Sequence, residues 1–512
     1  MSRHVAATIG VLAVWAAVGV GHLVAGLISA SSSPLLAVGG AVIRLAPESL
    51  TEFGKNTFGT NDKLVLLGAT FSGITLLGAV AGLLSRERPN PGVWVLAAMG
   101  VLGTAAVYFA PVYSELDLVA PAVAALAGIG AFRWLRHLGL RARGPVAAGE
   151  DGVSRRAVLA AGSAAVGLGA LASAGVGTVV ARDVQGSRAE VTAQLARATF
   201  LERATSVRGA AAFPQLGTPT FLTANSDFYR IDTALRIPTL AAADWQLRVH
   251  GMVARELTLS FADLIGRPLV ERPITMTCVS NPVGGSLIST ADFIGVPLRD
   301  ILLEAGVDPA ADQLFSRSTE DWYTGTPMSV LMEPQRGALL AIGMNGEALP
   351  PEHGFPVRMV VPGLYGYVSG TKWVVDIEAT VFKNPFRQGF WLERGWSQFG
   401  PIKTMSRIDA PQDSMTVIAD TVTVAGVAWA QHTGIAEVEV RVDGGPWQPA
   451  MLSDEISIDT WRMWHVELAL PKGDHTAEAR ATDKSGYTQT DQRAQPIPNG
   501  ASGWPSVSFT VG

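Results

Sequence analysis

The chain has 512 residues and one cysteine. A single thiol cannot form an intramolecular disulfide, a four-thiolate zinc site or an iron–sulfur cluster. It also excludes the Cys-x-x-Cys-His attachment of a c-type haem. Charge is scarce as well: 16% of residues are Asp, Glu, Lys or Arg, and the formal net charge is -5. No basic tract is long enough for a nucleic-acid surface, so no nucleic acid is expected as a partner. Metal chemistry, if present, has to rest on one thiolate and a cofactor that brings its own ligands.

What the chain has in excess is apolar sequence, and it is segregated. Nearly everything before about Val180 is rich in Ala, Val, Leu and Gly, whereas the remainder carries Trp, Pro and mixed charge. A spanning helix needs roughly 20 mostly apolar residues. Val5–Ile28, Leu64–Leu84, Val93–Val112, Leu118–Leu135 and Val158–Val180 qualify. Pro34–Leu45 is shorter, is broken by Arg44 and reads as interfacial or re-entrant. Arg3, then Arg86 and Arg88, then Arg133, Arg136, Arg141, Arg143, Arg155 and Arg156 alternate with acidic or mixed loops. By the positive-inside rule the N-terminus is cytoplasmic, and five spans put the C-terminal part outside. Ser154-Arg155-Arg156-Ala157-Val158-Leu159 resembles a twin-arginine export signal, which implies a partner in that export machinery and a cofactor loaded before crossing. His22 and His137 lie toward opposite ends of their spans, which disfavours a haem pair. No line of carboxylates suggests ion transport. Anchoring is the expected role.

Beyond a polar linker the patterning is globular. Trp245–Val253 alternates as a strand, Ser260-Phe-Ala-Asp-Leu reads as a capped helix start, and Leu298–Ala305 reads as a helix closed by Gly306. Thr275-Met-Thr-Cys-Val-Ser-Asn-Pro-Val-Gly-Gly is a strand running into a turn, with Cys278 at the strand end. Gly284 and Gly285 allow close backbone approach to a bulky ligand. Further on, Val422–Ala430, Ala436–Val442, Trp461–Leu470, His475–Asp483 and Ser506–Val511 alternate between hairpin turns. That pattern suggests an immunoglobulin-like sandwich without the cysteine pair of antibody domains.

Thr277-Cys278-Val-Ser-Asn281 and the Ile288–Leu302 segment resemble the molybdenum–cysteine region of the sulfite oxidase family. So do Asn225–Asp232, Met344–Arg358, Pro362–Gly366 and Lys372-Trp373, in the family's order and over roughly Phe213 to the C-terminus. The resemblance implies a molybdopterin cofactor with one pyranopterin. Cys278 is then the metal-binding thiolate, a soft ligand beside two dithiolene sulfurs. Arg358 and Lys372 are expected near the phosphate and pterin, where a planar fork and a point charge suit an anion. Asn225, Phe228, Tyr229, Arg230, Asn281, His353, Gly370 and Thr371 are the remaining cofactor-pocket candidates, and Tyr365 and Tyr367 are candidates for facing the substrate.

The implied architecture is an α-helical transmembrane bundle (1–181), a linker (182–208), an α+β sulfite-oxidase-type molybdopterin domain (209–397) and an immunoglobulin-like β-sandwich (398–512) of the dimerising kind, so a homodimer is expected. The implied activity is oxygen-atom transfer on a small molecule, with electrons exchanged with a separate quinone or cytochrome. Sulfite-oxidising members carry an arginine a few residues after the cysteine. Here that stretch is Val279-Ser-Asn-Pro-Val-Gly-Gly285. A neutral sulfoxide or another sulfur or nitrogen oxo compound therefore stands beside an anion as the substrate. The alternative is a non-enzymatic anchored sandwich protein for adhesion or assembly; the presence of Cys278, Arg358 and Lys372 together weighs against it.

Overall fold

The computed structural model describes residues 1–28, 32–47, 50, 53–54, 57–58, 62–110, 115–141, 164, 184–204, 211–235, 237–320, 322–418 and 421–512. The chain divides into two compact units, Met1–Asp183 with Ala234–Thr239, and Val184–Thr233 with Leu240–Gly512.

In the first unit, helices α1 (Arg3–Ile28), α2 (Pro34–Leu45), α3 (Asp62–Leu84), α4 (Asn90–Tyr108) and α5 (Val119–Arg141) are described. Among the described residues, four helices are long and apolar enough to cross a membrane, consistent with a membrane anchor; α2, at 12 residues, is not one of them. The expected fifth span and the Arg155-Arg156 pair lie outside the described residues. Leu64, Leu76, Trp94, Val101 and Leu126 point outward. That arrangement is stable only where the surroundings are themselves apolar. Small residues line the α1–α3 contact instead. A Cβ built on Gly10 would run into the Gly78 carbonyl, and one on Gly82 into the Ala6 carbonyl. Such close backbone approach is what membrane helices use in place of a hydrophobic driving force. His22 Nδ1 meets Ser33 Oγ at 3.1 Å, a polar contact inside the bundle. Arg136 donates to the Ser85 and Glu87 carbonyls at 3.0 and 3.1 Å, satisfying groups at the C-terminal end of α3.

The second unit contains twenty strands among the described residues. The first eleven are β1 (Phe200–Glu202), β2 (Gln246–Gly251), β3 (Leu257–Ser260), β4 (Leu269–Thr277), β5 (Ile288–Pro297), β6 (Gln313–Ser318), β7 (Tyr323–Pro327), β8 (Leu339–Met344), β9 (Glu347–Ala348), β10 (Arg358–Val360) and β11 (Val374–Thr380). They form two sheets, β1-β4-β5-β8-β10 with β9 beside β8, and β3-β2-β11-β6-β7. β8 is buried at every position, as its uninterrupted apolar sequence requires of a strand covered on both faces. One core joins the two sheets through Trp245, Leu247, Leu269, Phe293, Leu339 and Ile377. Trp245 is fully buried and donates Nε1–H to the Val374 carbonyl at 2.7 Å. Ser260 caps the short helix Phe261–Ile265 in a reciprocal box with Asp263, and Leu298–Ala305 ends on Gly306 at φ 67°.

The last nine strands are β12 (Met405–Ala410), β13 (Met415–Val417), β14 (Val422–Trp429), β15 (Ile435–Val442), β16 (Gln448–Pro449), β17 (Met451–Leu452), β18 (Arg462–Leu468), β19 (Gly473–Asp483) and β20 (Ser506–Val511). They make two further sheets, β12-β14-β18-β17 and β13-β20-β19-β15-β16. These share a core of Val424, Val438, Val440, Trp464, Ala479 and Phe509. The alternation in the sequence is the alternation of burial along β19. This part also braces the first eleven strands. Trp461 donates through its backbone N to Thr275 Oγ1 at 2.7 Å and through Nε1 to the Phe221 carbonyl at 3.0 Å. Gln431 Nε2 donates to Thr277 Oγ1 at 2.9 Å. Two of these contacts, at Thr275 and Thr277, fall on β4, the strand that delivers Cys278.

Candidate functional site

Cys278 follows the last residue of β4 directly and is buried. Its backbone N donates to the Leu287 carbonyl at 3.0 Å, and its own carbonyl accepts from Asn281 N at 3.0 Å. Asn281 Oδ1 in turn accepts from Leu287 N at 2.9 Å, so Asn281 ties the two ends of the turn. A Cβ at position 285 would sit 2.6 Å from Pro282 Cδ; only glycine fits there. The thiol is thus presented from a loop whose shape is fixed by backbone bonds and by the Asn281 side chain.

Phe228 and Tyr229 stack on one another with centroids 5.5 Å apart, and the His353 ring stands edge-on to Phe228 at 5.3 Å. Tyr229 is anchored by its N–H to Ser289 Oγ at 3.1 Å. Burial, together with the neighbouring Cys278 charge, pushes its phenol well above the ordinary tyrosine range. Asn225 lies behind this layer. Its amide donates to Glu347 Oε1 at 2.6 Å, and its Oδ1 accepts from Asn345 Nδ2 at 2.8 Å.

Three cations converge beside these rings. Arg358, the first residue of β10, is buried and donates Nη1–H to the His353 carbonyl at 3.2 Å. Lys372 Nζ donates to Asp232 Oδ2 at 3.2 Å and to the Glu352 carbonyl at 2.9 Å. Arg230 Nε reaches the same Asp232 oxygen at 2.8 Å. Burial brings the Arg358 guanidinium down to about 10 and Lys372 to about 8, the latter only partly offset by Asp232. His353 is pushed down to about 3 by burial, then by Arg358 and Lys372, and is neutral at physiological pH. Its Nε2 faces the Asn225 carbonyl at 3.2 Å, an atom that can only accept. The proton is therefore on Nε2, and Nδ1 is a bare acceptor.

The remaining candidates divide. Tyr365 is buried, within electrostatic reach of Cys278, and burial raises its phenol to about 12. The Tyr367 hydroxyl is already engaged: it donates to the Ser397 carbonyl at 2.6 Å, and the ring lies edge-on to Trp396 at 5.2 Å and stacks with Tyr365 at 6.5 Å. Gly370 N donates to the Gly366 carbonyl at 2.8 Å, and the Thr371 hydroxyl meets Ser316 Oγ at 2.7 Å. Among the described residues no group of three or more His, Cys, Asp or Glu side chains could hold a metal ion by itself.

Several residues that sequence reasoning passed over belong to this constellation. Asp232 bridges two of the cations, and Asn345, at φ 51°, links the Thr223 carbonyl, Asn225 and Asp292. The turn after Cys278 does receive an arginine, from β12: Arg407 donates Nη1–H to the Gly285 carbonyl at 3.2 Å while Nε pairs with Asp409 at 2.8 Å. Only Asp232 and Asn345 gave a local signal, since each lies inside a motif already singled out.

The family described as the oxidoreductase molybdopterin binding domain matches residues 234–391. The uncharacterized oxidoreductase YuiH of Bacillus subtilis is 36% identical over 156 residues, covering 30% of this chain and 74% of that protein. The chain belongs to the sulfite oxidase family of molybdopterin oxidoreductases. Human mitochondrial sulfite oxidase is 30% identical over 335 residues, 56% of this chain and 60% of that one. The chain thus spans less than two thirds of that relative's length. The solved structure of the sulfane dehydrogenase SoxCD from Paracoccus pantotrophus is 23% identical with a TM-score of 0.47, over 57% of this chain and 80% of that one.

The molybdenum cofactor of the sulfite oxidase family can be tested against the donor set. Among the described residues Arg358 has no carboxylate partner, and its buried Nε has no acceptor. His353 Nδ1 is equally buried and has no donor. An orphaned donor on a buried cation and an orphaned acceptor beside it are costly unless a ligand supplies both counterparts. A phosphorylated pterin is such a ligand: it carries negative charge and an edge of N–H groups. The residues present fit the cofactor.

Proposed function

We propose that this oxidoreductase removes an oxygen atom from a small neutral oxo compound of the sulfoxide class, on the extracytoplasmic side of a membrane. The observation that carries the reading is the buried cradle of Arg358, Lys372 and neutral His353 beside Cys278. Cys278 would hold molybdenum as a thiolate. Arg358 and Lys372, with Arg230 at the rim, would hold the phosphorylated pterin, and His353 Nδ1 would accept from its edge. When bound, the cofactor supplies a metal that accepts an oxygen atom and changes by two electrons. Tyr365 offers a neutral hydroxyl to the substrate oxygen, its raised phenol keeping the proton in place. Tyr367 and Trp396 wall the space against water.

In the net reaction the sulfur–oxygen bond breaks, two electrons and two protons are consumed, and a thioether and water leave. The electrons come from a separate carrier of the quinol or cytochrome class. Sulfite is disfavoured because the arginine that, among the described residues, reaches the turn after Cys278 is engaged by Asp409 and Gly285. The C-terminal two-sheet part, from near 398, is read as an immunoglobulin-like module, and the region before it as the catalytic domain, which takes in β1 and so starts upstream of 209.

The test pairs molybdenum and pterin analysis of the full chain with dimethyl sulfoxide reduction by reduced viologen. Wild-type protein should contain one molybdenum per chain and Cys278→Ala almost none. Wild-type protein from molybdenum-replete cells lacking the metal would sink the reading. Replacing Arg155-Arg156 by Lys-Lys should strand the catalytic part in the cytoplasm; unimpaired export would remove the twin-arginine assignment.

A further inference from the structure

Tyr365 and Tyr367 look interchangeable in the sequence and are not so in the fold. The Tyr367 proton is committed to the Ser397 carbonyl at 2.6 Å. The Tyr365 oxygen accepts from Lys403 N at 3.5 Å, and among the described residues nothing takes its proton. That hydroxyl is bounded by a loop from the C-terminal sheets. Gly500 adopts φ 77°, and a Cβ there would lie 2.8 Å from Tyr365 Cζ and 2.9 Å from Cε2. Lys403 Nζ fastens the same residue by donating to the Gly500 carbonyl at 2.6 Å. Two residues earlier, the Pro498 carbonyl accepts from Ser397 N at 3.3 Å. One loop therefore touches the tyrosine with the available proton directly and the committed tyrosine through Ser397.

We infer that the loop Pro496–Gly500 is a wall of the substrate pocket, and that Gly500 is a positioning residue setting both the place of the Tyr365 hydroxyl and the size of acceptor admitted. The inference rests on the sulfoxide reading of this pocket. Glycine is required at 500 twice over, by its left-handed backbone and by the nearness of the phenol ring. A side chain there has to displace either the loop or the ring, and the donor moves with it.

The experiment uses the full-length, cofactor-loaded chain carrying 3-fluorotyrosine, with fluorine resonances assigned by Tyr365→Phe and Tyr367→Phe. Gly500→Ala is expected to shift the Tyr365 resonance and leave most of the other tyrosines in place, which also reports folding. It should lower kcat/KM for methyl phenyl sulfoxide about tenfold more than for dimethyl sulfoxide, the scale of one misplaced methyl group in a pocket. Lys403→Met releases the Gly500 carbonyl without adding volume and should move the same resonance, so a poorly folding Gly500→Ala does not decide the matter alone. Folded variants with an unmoved Tyr365 resonance, or with unchanged discrimination between the two sulfoxides, overturn the inference. Wild-type protein that reduces neither sulfoxide overturns the substrate reading instead, and the fluorine shift still decides whether the loop positions Tyr365.

Discussion

Arg358 donates Nη1–H to the carbonyl of His353 at 3.2 Å, while Nε on the same guanidinium and Nδ1 on the same histidine meet no protein partner among the described residues. The pair is half-satisfied, and the missing half has opposite polarity on the two atoms. Arg358→Met should therefore separate loading from folding. Molybdenum content should fall by at least tenfold. The cofactor-free protein should be unharmed or stabilised, by about 1–4 kcal/mol, because an uncompensated buried charge has been removed. Metal analysis and urea denaturation of cofactor-free protein check the two halves. A cofactor-free variant much less stable than wild type would mean that Arg358 is a structural cation.

Lys372 gives the site a pH dependence on the alkaline side. Its folded pKa lies at about 8, below the free value of 10.5. Between those two values the unfolded chain holds a proton that the folded chain has released. Stability of the cofactor-free protein then rises with pH across the window, since the unfolded state binds more protons. Affinity for an anion runs the opposite way and weakens above pH 8, as the ammonium is lost. Lys372→Met should flatten the alkaline rise in urea midpoint. A rise that persists in the variant assigns it to another group.

The acid side belongs to His353. Its folded pKa of about 3 stands below the free value of 6.5, so the folded protein resists protonation that the unfolded chain accepts. This contribution is complete above pH 6.5 and is lost as pH falls toward 3. His353→Gln should reduce the slope of stability against pH in that interval, read as the difference between wild-type and variant midpoints. Identical slopes would show that the imidazole charges freely in the folded protein.

Much of this was legible because its causes are local. Leu298–Ala305 carries its own apolar face and a closing glycine, and β19 and β20 carry a period of two; periodicity and caps act within a few residues. Cys278 at a strand end was readable from the turn residues after it. What could not be read depends on distant chain. Arg407 reaches Gly285 across 122 positions, and Trp461 braces Thr275 across 186. The same holds for the two tyrosines: their motif shows two phenols, while Ser397 and Gly500, on other segments, decide which proton is available. Asp232 sat inside a quoted motif, yet its bridging role needed Lys372 to be brought beside it by the fold.

The apolar helices of the first unit offer a test independent of the cofactor. Gly10 on α1 and Gly82 on α3 each face a backbone carbonyl of the opposite helix, with no room for a side chain. Gly73, on the same α3, would place a Cβ with nothing inside 4 Å. Position, and not glycine content, should therefore decide the outcome. Gly10→Leu and Gly82→Leu should force α1 and α3 apart at a cost of about 1–3 kcal/mol, the usual scale of overpacking. Thermal scans of detergent-solubilised protein by fluorescence size-exclusion should show an earlier loss of the monodisperse peak. Gly73→Leu should be neutral in the same assay, and all three variants should retain molybdenum, because the cradle around Cys278 is built entirely from the second unit. Equal sensitivity at positions 10, 82 and 73 would mean that the α1–α3 contact is not the tight one described.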